Sequence, residues 1–412
     1  MSNLALCGGH PVMESPPSLR WPVFDATVEE SVLAVVRSGQ WWRGGTAEAQ
    51  RESVTGRFER RFAAFQGVEH ALAVNSGTTA VETALRAVGV SSGDEVIVPD
   101  LSFVVTGSAC LTMGAWPVFV EVDAATGQID PAAMEAAISP RTTAICLVHF
   151  GGYPADMDAV MAVAKRHNLA VVEDCAHAHG TQWRGAGVGS FGDFGTFSFQ
   201  QYKSLTSGEG GLVVSNHLAR WQSAYRYHNL GRLEHKGQYE FYELSSNLRL
   251  TDLQGALLEA QFPNFEAQVA RRNEAYPRLD TALGALPGLF PQPSDKRITR
   301  RGFYYYILRY DAERCHGIPR ERFLEALRAE GVPGVGKGYG SALHTYPLFQ
   351  NLKAPAGYPN CDYTKVSCPV AERLATREVV TLAHQVLLLD DPTLDRIVEA
   401  FAKVIENLEE LR

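Results

Sequence analysis

Short apolar runs alternate with stretches of helical period through the first two thirds of the chain. The runs His70–Val74, Glu95–Pro99, Val118–Val122, Ala144–Val148, Ala170–Asp174 and Gly211–Ser215 are rich in Val, Ile and Ala. Continuous apolar runs of this length are expected of strands buried on both faces of a sheet. Between them, the spacing predicts helices over about Arg51–Phe65, Val81–Val88, Pro131–Ile138, Asp156–His167 and His217–His228. Strands and helices alternating at this interval predict an α/β fold with a mostly parallel sheet covered on both faces.

The ends of the chain read differently. Residues 1–30 lack periodicity and carry Pro11, Pro16, Pro17 and Pro22, which predicts an extended arm leading to a helix over Thr27–Ser38. The adjacent Trp41 and Trp42 that follow read as packing residues or as the wall of a pocket. Residues 233–246 read as a mobile polar and aromatic loop, followed by a long helical stretch that Pro263 should kink or break. A boundary near residue 265 then divides a large domain, 31–265, from a smaller C-terminal α/β domain, 266–412. In the smaller part, Phe303–Tyr310 and Val379–Leu382 read as strands. Arg320–Glu330 and Asp395–Leu411 read as helices, the latter with Ile397, Phe401, Val404, Ile405 and Leu408 on one face.

Composition narrows the class. The chain has 412 residues, is 45% hydrophobic and 20% charged, and carries a net charge of −8. The size asks for two domains, and the negative balance disfavours nucleic acid or an anionic membrane as main partner. No apolar run reaches the length of a membrane span, and the start has no basic segment of a secretory signal. Seven cysteines, an odd number with no C-x-x-C pair, indicate neither a disulfide framework nor a zinc site, and a reducing cytoplasm fits.

Candidate chemistry gathers at the carboxyl ends of the predicted strands, where ligands bind in open α/β sheets. Ser76–Thr79 lies between a strand and a helix start, a place suited to an anion but equally suited to an ordinary N-cap. Phe103 follows the second strand and Asp174 ends the fifth. Lys203 sits past the strand-like Thr196–Phe199, before the glycine-rich Ser207–Gly211. The run Gly187–Gly192 formally fits G-x-G-x-x-G, but no helix follows and its neighbours read as a hairpin, so it is rejected as a dinucleotide site. A lysine, a carboxylate, a phosphate cradle and an aromatic ring are what pyridoxal 5′-phosphate (PLP) requires of a protein.

The pieces SGTTA at 76–80, EDCAHAHG at 173–180, FSFQQYKSLTSGEGG at 197–211 and SSNLRLTDLQGALLEAQ at 245–261 resemble the DegT/DnrJ/EryC1/StrS family of PLP-dependent aminotransferases, of fold type I. The resemblance covers nearly the whole chain. It implies that Lys203 is the Schiff-base lysine and that Asp174 pairs with the pyridine nitrogen. It also implies that His177, where the family often has Gln, lies near the phenolic oxygen of the cofactor. Phe103 would stack on the ring. Gly77, Thr78, Thr79 and Ser198 would bind the phosphate, with Asn247 reaching it from the neighbouring subunit of a homodimer. No metal is implied. The implied reaction moves an amino group from glutamine or glutamate to a keto-cyclitol or keto-sugar. The alternatives are a 3-amino-5-hydroxybenzoate synthase type of aminating dehydratase, a nucleotide-sugar aminotransferase, or a PLP-fold binding or regulatory protein.

Overall fold

A computed structural model describes residues 2–234, 239–353 and 357–412. Part of the expected loop 233–246 therefore lies outside the described residues. The strands, in chain order, are β1 (His70–Val74), β2 (Glu95–Pro99), β3 (Trp116–Val120), β4 (Thr142–Val148), β5 (Ala170–Asp174), β6 (Gln182–Trp183), β7 (Ala186–Gly187), β8 (Phe194–Ser198), β9 (Gly211–Ser215), β10 (Leu289–Pro291), β11 (Ile298–Arg300), β12 (Tyr305–Tyr310), β13 (Val335–Gly336) and β14 (Val379–Ala383).

The main sheet has the order β1-β9-β8-β5-β4-β2-β3. Pairings β3 to β2, β2 to β4, β4 to β5 and β5 to β8 are parallel, and only β9 runs against its neighbours. This is the mostly parallel α/β sheet the apolar runs predict. In-register pairing of β4, β5 and β8 brings Val148, Asp174 and Thr196 level at one sheet edge. A second sheet, β10-β12-β14-β13, is wholly antiparallel.

The helices depart from expectation in three instructive places. The stretch expected as one helix over Arg51–Phe65 is two, Ala47–Glu52 and Val54–Gln66. Ser53 takes an extended conformation between them, and its side chain caps the second by accepting from the Gly56 N–H. Pro263 does not break its helix, which runs from Asp252 to Gly284 with Pro263 and Pro277 both inside. Both prolines face solvent, so water can take up the carbonyls their rings leave unbonded, while the buried face continues through Phe262, Phe265, Val269, Ala275 and Leu279. Residue 265 thus falls inside this helix. Phe265 and Val269 belong to one apolar core and Ala275, Leu279 and Leu283 to another, so the chain changes core along a helix rather than at a loop. The first residues are also less free than an extended arm. Leu4, Val12 and Met13 are buried in the second core. The buried Glu330 carboxylate accepts the N–H groups of Ala5 and Val12.

Trp41 and Trp42 are 55% and 48% exposed, neither core residues nor pocket walls within this chain. All seven cysteines are free. No described helix is long and apolar enough to cross a membrane.

Candidate active site

The strand ends of the main sheet open onto a cavity of about 350 Å³. Gly77, Thr78, Phe103, Asp174, His177, Ser198 and Lys203 all line it. Thr79 and Asn247 do not. The Thr79 hydroxyl donates to Asn75 Oδ1 at 2.6 Å, and its N–H is held by Ser76 Oγ at 3.1 Å. Asn247 is exposed, bridged in antiparallel fashion to Asn229.

The anion end is the start of the helix Gly77–Ala87, eleven residues long and capped by Ser76. A Cβ added at Gly77 would lie 2.5 Å from Ser198 Cβ and 2.8 Å from Ser198 Oγ. Only glycine therefore lets the first amides of the helix and the Ser198 hydroxyl face the same point, where helix amides and dipole favour a phosphate.

Asp174, which lines the same cavity, is buried. Its oxygens accept from the Ala176 N–H at 3.0 Å and the Thr106 hydroxyl at 3.3 Å. Burial pushes the Asp174 carboxyl above its ordinary pKa, opposed by the Ala176 amide and the Lys203 charge. Burial also lowers the Lys203 amine to a pKa of about 8, the Asp174 charge acting against the shift. The Lys203 Nζ stands 4.2 Å from the centre of the Tyr304 ring. Lys203 therefore has a neutral, nucleophilic form within easy reach near neutral pH.

His177 is packed face to face on Tyr304, ring centres 4.1 Å apart. Its Nδ1 accepts from the Gly151 N–H at 3.3 Å, and its Nε2 lies 2.8 Å from the Tyr339 hydroxyl. Burial holds it well below the ordinary histidine pKa, so it is neutral. Phe103 is 52% exposed at the cavity mouth, 5.7 Å from the Tyr339 ring.

Behind Asp174, the neighbouring Glu173 faces away from the cavity into the protein. Its fully buried carboxylate accepts the N–H groups of Gly189, Phe191 and Gly192 at 2.7–2.8 Å and meets His149 Nε2 at 3.1 Å. The glycine-rich run 187–192 thus spends its amides on a side chain of its own chain, as its rejection as a dinucleotide site requires. His149, Glu173 and Cys175 lie within 4.8 Å of one another, but His149 Nδ1 already accepts the Ala155 N–H.

Sequence reasoning missed Thr106, which lies in an apolar helix, and Tyr304, one of four consecutive aromatic residues. Tyr304 precedes β12, and only its place in the fold turns it toward Lys203. The residues present fit PLP in each part: an amide cradle that a Cβ would fill, a buried carboxylate, an amine of lowered pKa and an exposed aromatic ring.

The chain matches the DegT/DnrJ/EryC1/StrS aminotransferase family over residues 23–402. It is 38% identical, over the full length of both chains, to an L-glutamine:2-deoxy-scyllo-inosose aminotransferase of Micromonospora echinospora. It is 35% identical to a 3-amino-5-hydroxybenzoate synthase of Amycolatopsis mediterranei, covering 95% of this chain and 98% of that one. A crystal structure of 3-amino-5-hydroxybenzoic acid synthase superimposes with a TM-score of 0.85 over 95% of this chain and 100% of that chain, at 35% identity.

Proposed function

Since the chain belongs to the DegT/DnrJ/EryC1/StrS aminotransferase family, we propose that it binds PLP and carries an amino group from glutamine to a ketone of a cyclitol. The observation that carries this reading is the meeting of Lys203, Asp174, Phe103 and the Gly77–Thr78–Ser198 cradle in one cavity. The full-length likeness to a glutamine-dependent 2-deoxy-scyllo-inosose aminotransferase supports the donor and the acceptor class.

PLP supplies a conjugated ring that withdraws electrons from the carbon losing its proton. The amides of Gly77 and Thr78 and the Ser198 hydroxyl hold its phosphate. Asp174 keeps a proton on the ring nitrogen, and the Thr106 hydroxyl and Ala176 amide keep Asp174 aimed. His177 and Phe103, which line the same cavity, would stand beside the ring. Lys203 Nζ would hold the cofactor, and as a free amine it would move the proton at the substrate carbon as general base and acid. Asn247, exposed and outside this chain's cavity, acts at the phosphate of a second copy in a homodimer.

Lys203→Ala is the direct test. The purified variant should lose the visible absorbance of lysine-bound PLP and all detectable glutamine:scyllo-inosose transamination while keeping its fold by circular dichroism. A variant that retains full turnover sinks the assignment.

A further inference from the structure

The acceptor must be recognised by groups that the cofactor leaves free. Among the described residues lining the cavity, Lys203 is the only cation, and there is no arginine. A nucleotide-linked sugar carries a diphosphate, which proteins hold with arginine, lysine or a row of amides. Among the described residues that this chain contributes to the cavity, the helix-start amides at Gly77 are the one such row, and the proposed cofactor's phosphate takes them. What remains is aromatic, polar and acidic: Phe103, Tyr304 and Tyr339 offer apolar faces, the two tyrosines and Ser102 carry hydroxyls, and Gln200 and Glu209 add an amide and a carboxylate, the latter unfavourable to a diphosphate.

The hydrogen bonds around Tyr339 fix the direction of its hydroxyl. The Gly151 N–H donates to His177 Nδ1, so that nitrogen carries no proton. In a neutral imidazole the proton then sits on Nε2, which donates to the Tyr339 oxygen at 2.8 Å. The Tyr339 proton is thereby excluded from the side facing His177, and it has no acceptor among the described residues. Tyr339 reaches the cavity on the loop between β13 and the 3₁₀ turn Leu343–Thr345, and its ring lies 5.9 Å from that of His177 in near-parallel stacking.

We infer that Tyr339, oriented by His177, is a specificity-determining residue that donates a hydrogen bond to an oxygen of an uncharged, polyhydroxylated ring ketone. This rests on the aminotransferase reading and deepens it by fixing the acceptor as a free ring without a nucleotide. Tyr339 touches the acceptor, and His177 is a positioning residue for it.

The test uses the PLP-loaded enzyme and follows the two half-reactions separately by cofactor absorbance, discharge by glutamine and recharge by scyllo-inosose. In Tyr339→Phe, kcat/KM of the acceptor half should fall about tenfold relative to that of the donor half, the loss expected for one substrate hydrogen bond. A binding readout stands beside this. Scyllo-inositol, the polyol without the ketone, should raise the melting temperature of the wild type and not of Tyr339→Phe. Because His177 also stands beside the proposed cofactor ring, its variants are read as the ratio of acceptor to donor half-reaction. His177→Leu should lower that ratio as Tyr339→Phe does, His177→Gln should recover most of it through its amide donor, and the Tyr339→Phe, His177→Leu pair should lower it no further than Tyr339→Phe alone. Equal losses in both halves, or a polyol shift that survives Tyr339→Phe, overturn the assignment. A wild type that aminates a nucleotide-linked keto-sugar and not the free ring overturns the acceptor class while leaving the aminotransferase reading intact. Failure of glutamine to discharge the cofactor overturns that reading instead.

Discussion

Burial sets the two central side chains of the site against their ordinary charge states. Asp174 would be easier to protonate than a surface aspartate, and Lys203 easier to deprotonate than a surface lysine. Each charge also supports the other, which is why neither shift runs to its full desolvated extent. The consequence is a pH dependence with a definite sign. The neutral amine is the nucleophile, so in the PLP-free protein acylation of Lys203 by trace acetic anhydride should rise with pH through a midpoint near 8. Quantifying the Lys203 peptide by mass spectrometry against surface lysines reads this directly. Because Asp174 raises the amine's pKa, Asp174→Asn should move the midpoint lower still. A midpoint at the ordinary lysine value, or one that climbs in Asp174→Asn, would show that the amine is not governed by burial and this carboxylate.

At the scale of elements, β5 places its last two residues on opposite faces, as a strand must. Asp174 turns to the cavity and Glu173 to the loop 189–192. The loop gives this carboxylate three hydrogen bonds and His149 a fourth, so Glu173 anchors the strand end that presents Asp174. Glu173→Gln puts an amide group where one oxygen accepts backbone N–H bonds, leaving buried donors facing each other. The expected cost is about 2–3 kcal/mol, read as a lower urea midpoint, together with weaker PLP retention on dialysis. A change under about 0.5 kcal/mol would mean that the loop is held by other contacts. This pairing also marks what could be read from the chain. The strands of the main sheet were legible because their apolar runs are continuous, and the Ser76–Thr79 turn, Asp174 and Lys203 were legible because they sit where such strands end, while Ser198 came only through the family resemblance. Thr106, Tyr304 and the partnership of Tyr339 with His177 were not, since 162 positions separate the last pair and no local pattern encodes their meeting. The intact helix through Pro263 escaped for a related reason. Local propensity argues for a break, but the long apolar face on two cores outweighs one missing backbone bond.

At the scale of the whole molecule, one chain leaves both apolar surface and a proposed cofactor ligand unspent. Phe103 and Tyr202, beside the cavity, are 52% and 64% exposed, and Phe241 and Leu244, near Asn247, are 57% and 85% exposed. Exposed apolar side chains such as these are what contact with a second copy would cover. A two-fold pair of chains would use the same patch on both copies and could carry Asn247 of each to the cavity of the other. Complementation decides this without a further structure. If the asparagine acts across the interface, Lys203→Ala disables the cavity of its own chain and Asn247→Ala the cavity of its partner. In a mixed dimer, one cavity then holds both defects and the other holds none. Unfolding and refolding a 1:1 mixture should give about half mixed dimers, each with one intact site, and so about a quarter of wild-type transamination from two weak or inactive parents. If Asn247 served its own chain's cavity, every site in the mixed dimer would carry one defect, and the mixture would do no better than the average of its parents. Sedimentation of the refolded mixture as dimer, alongside the activity, separates failed assembly from a same-chain role.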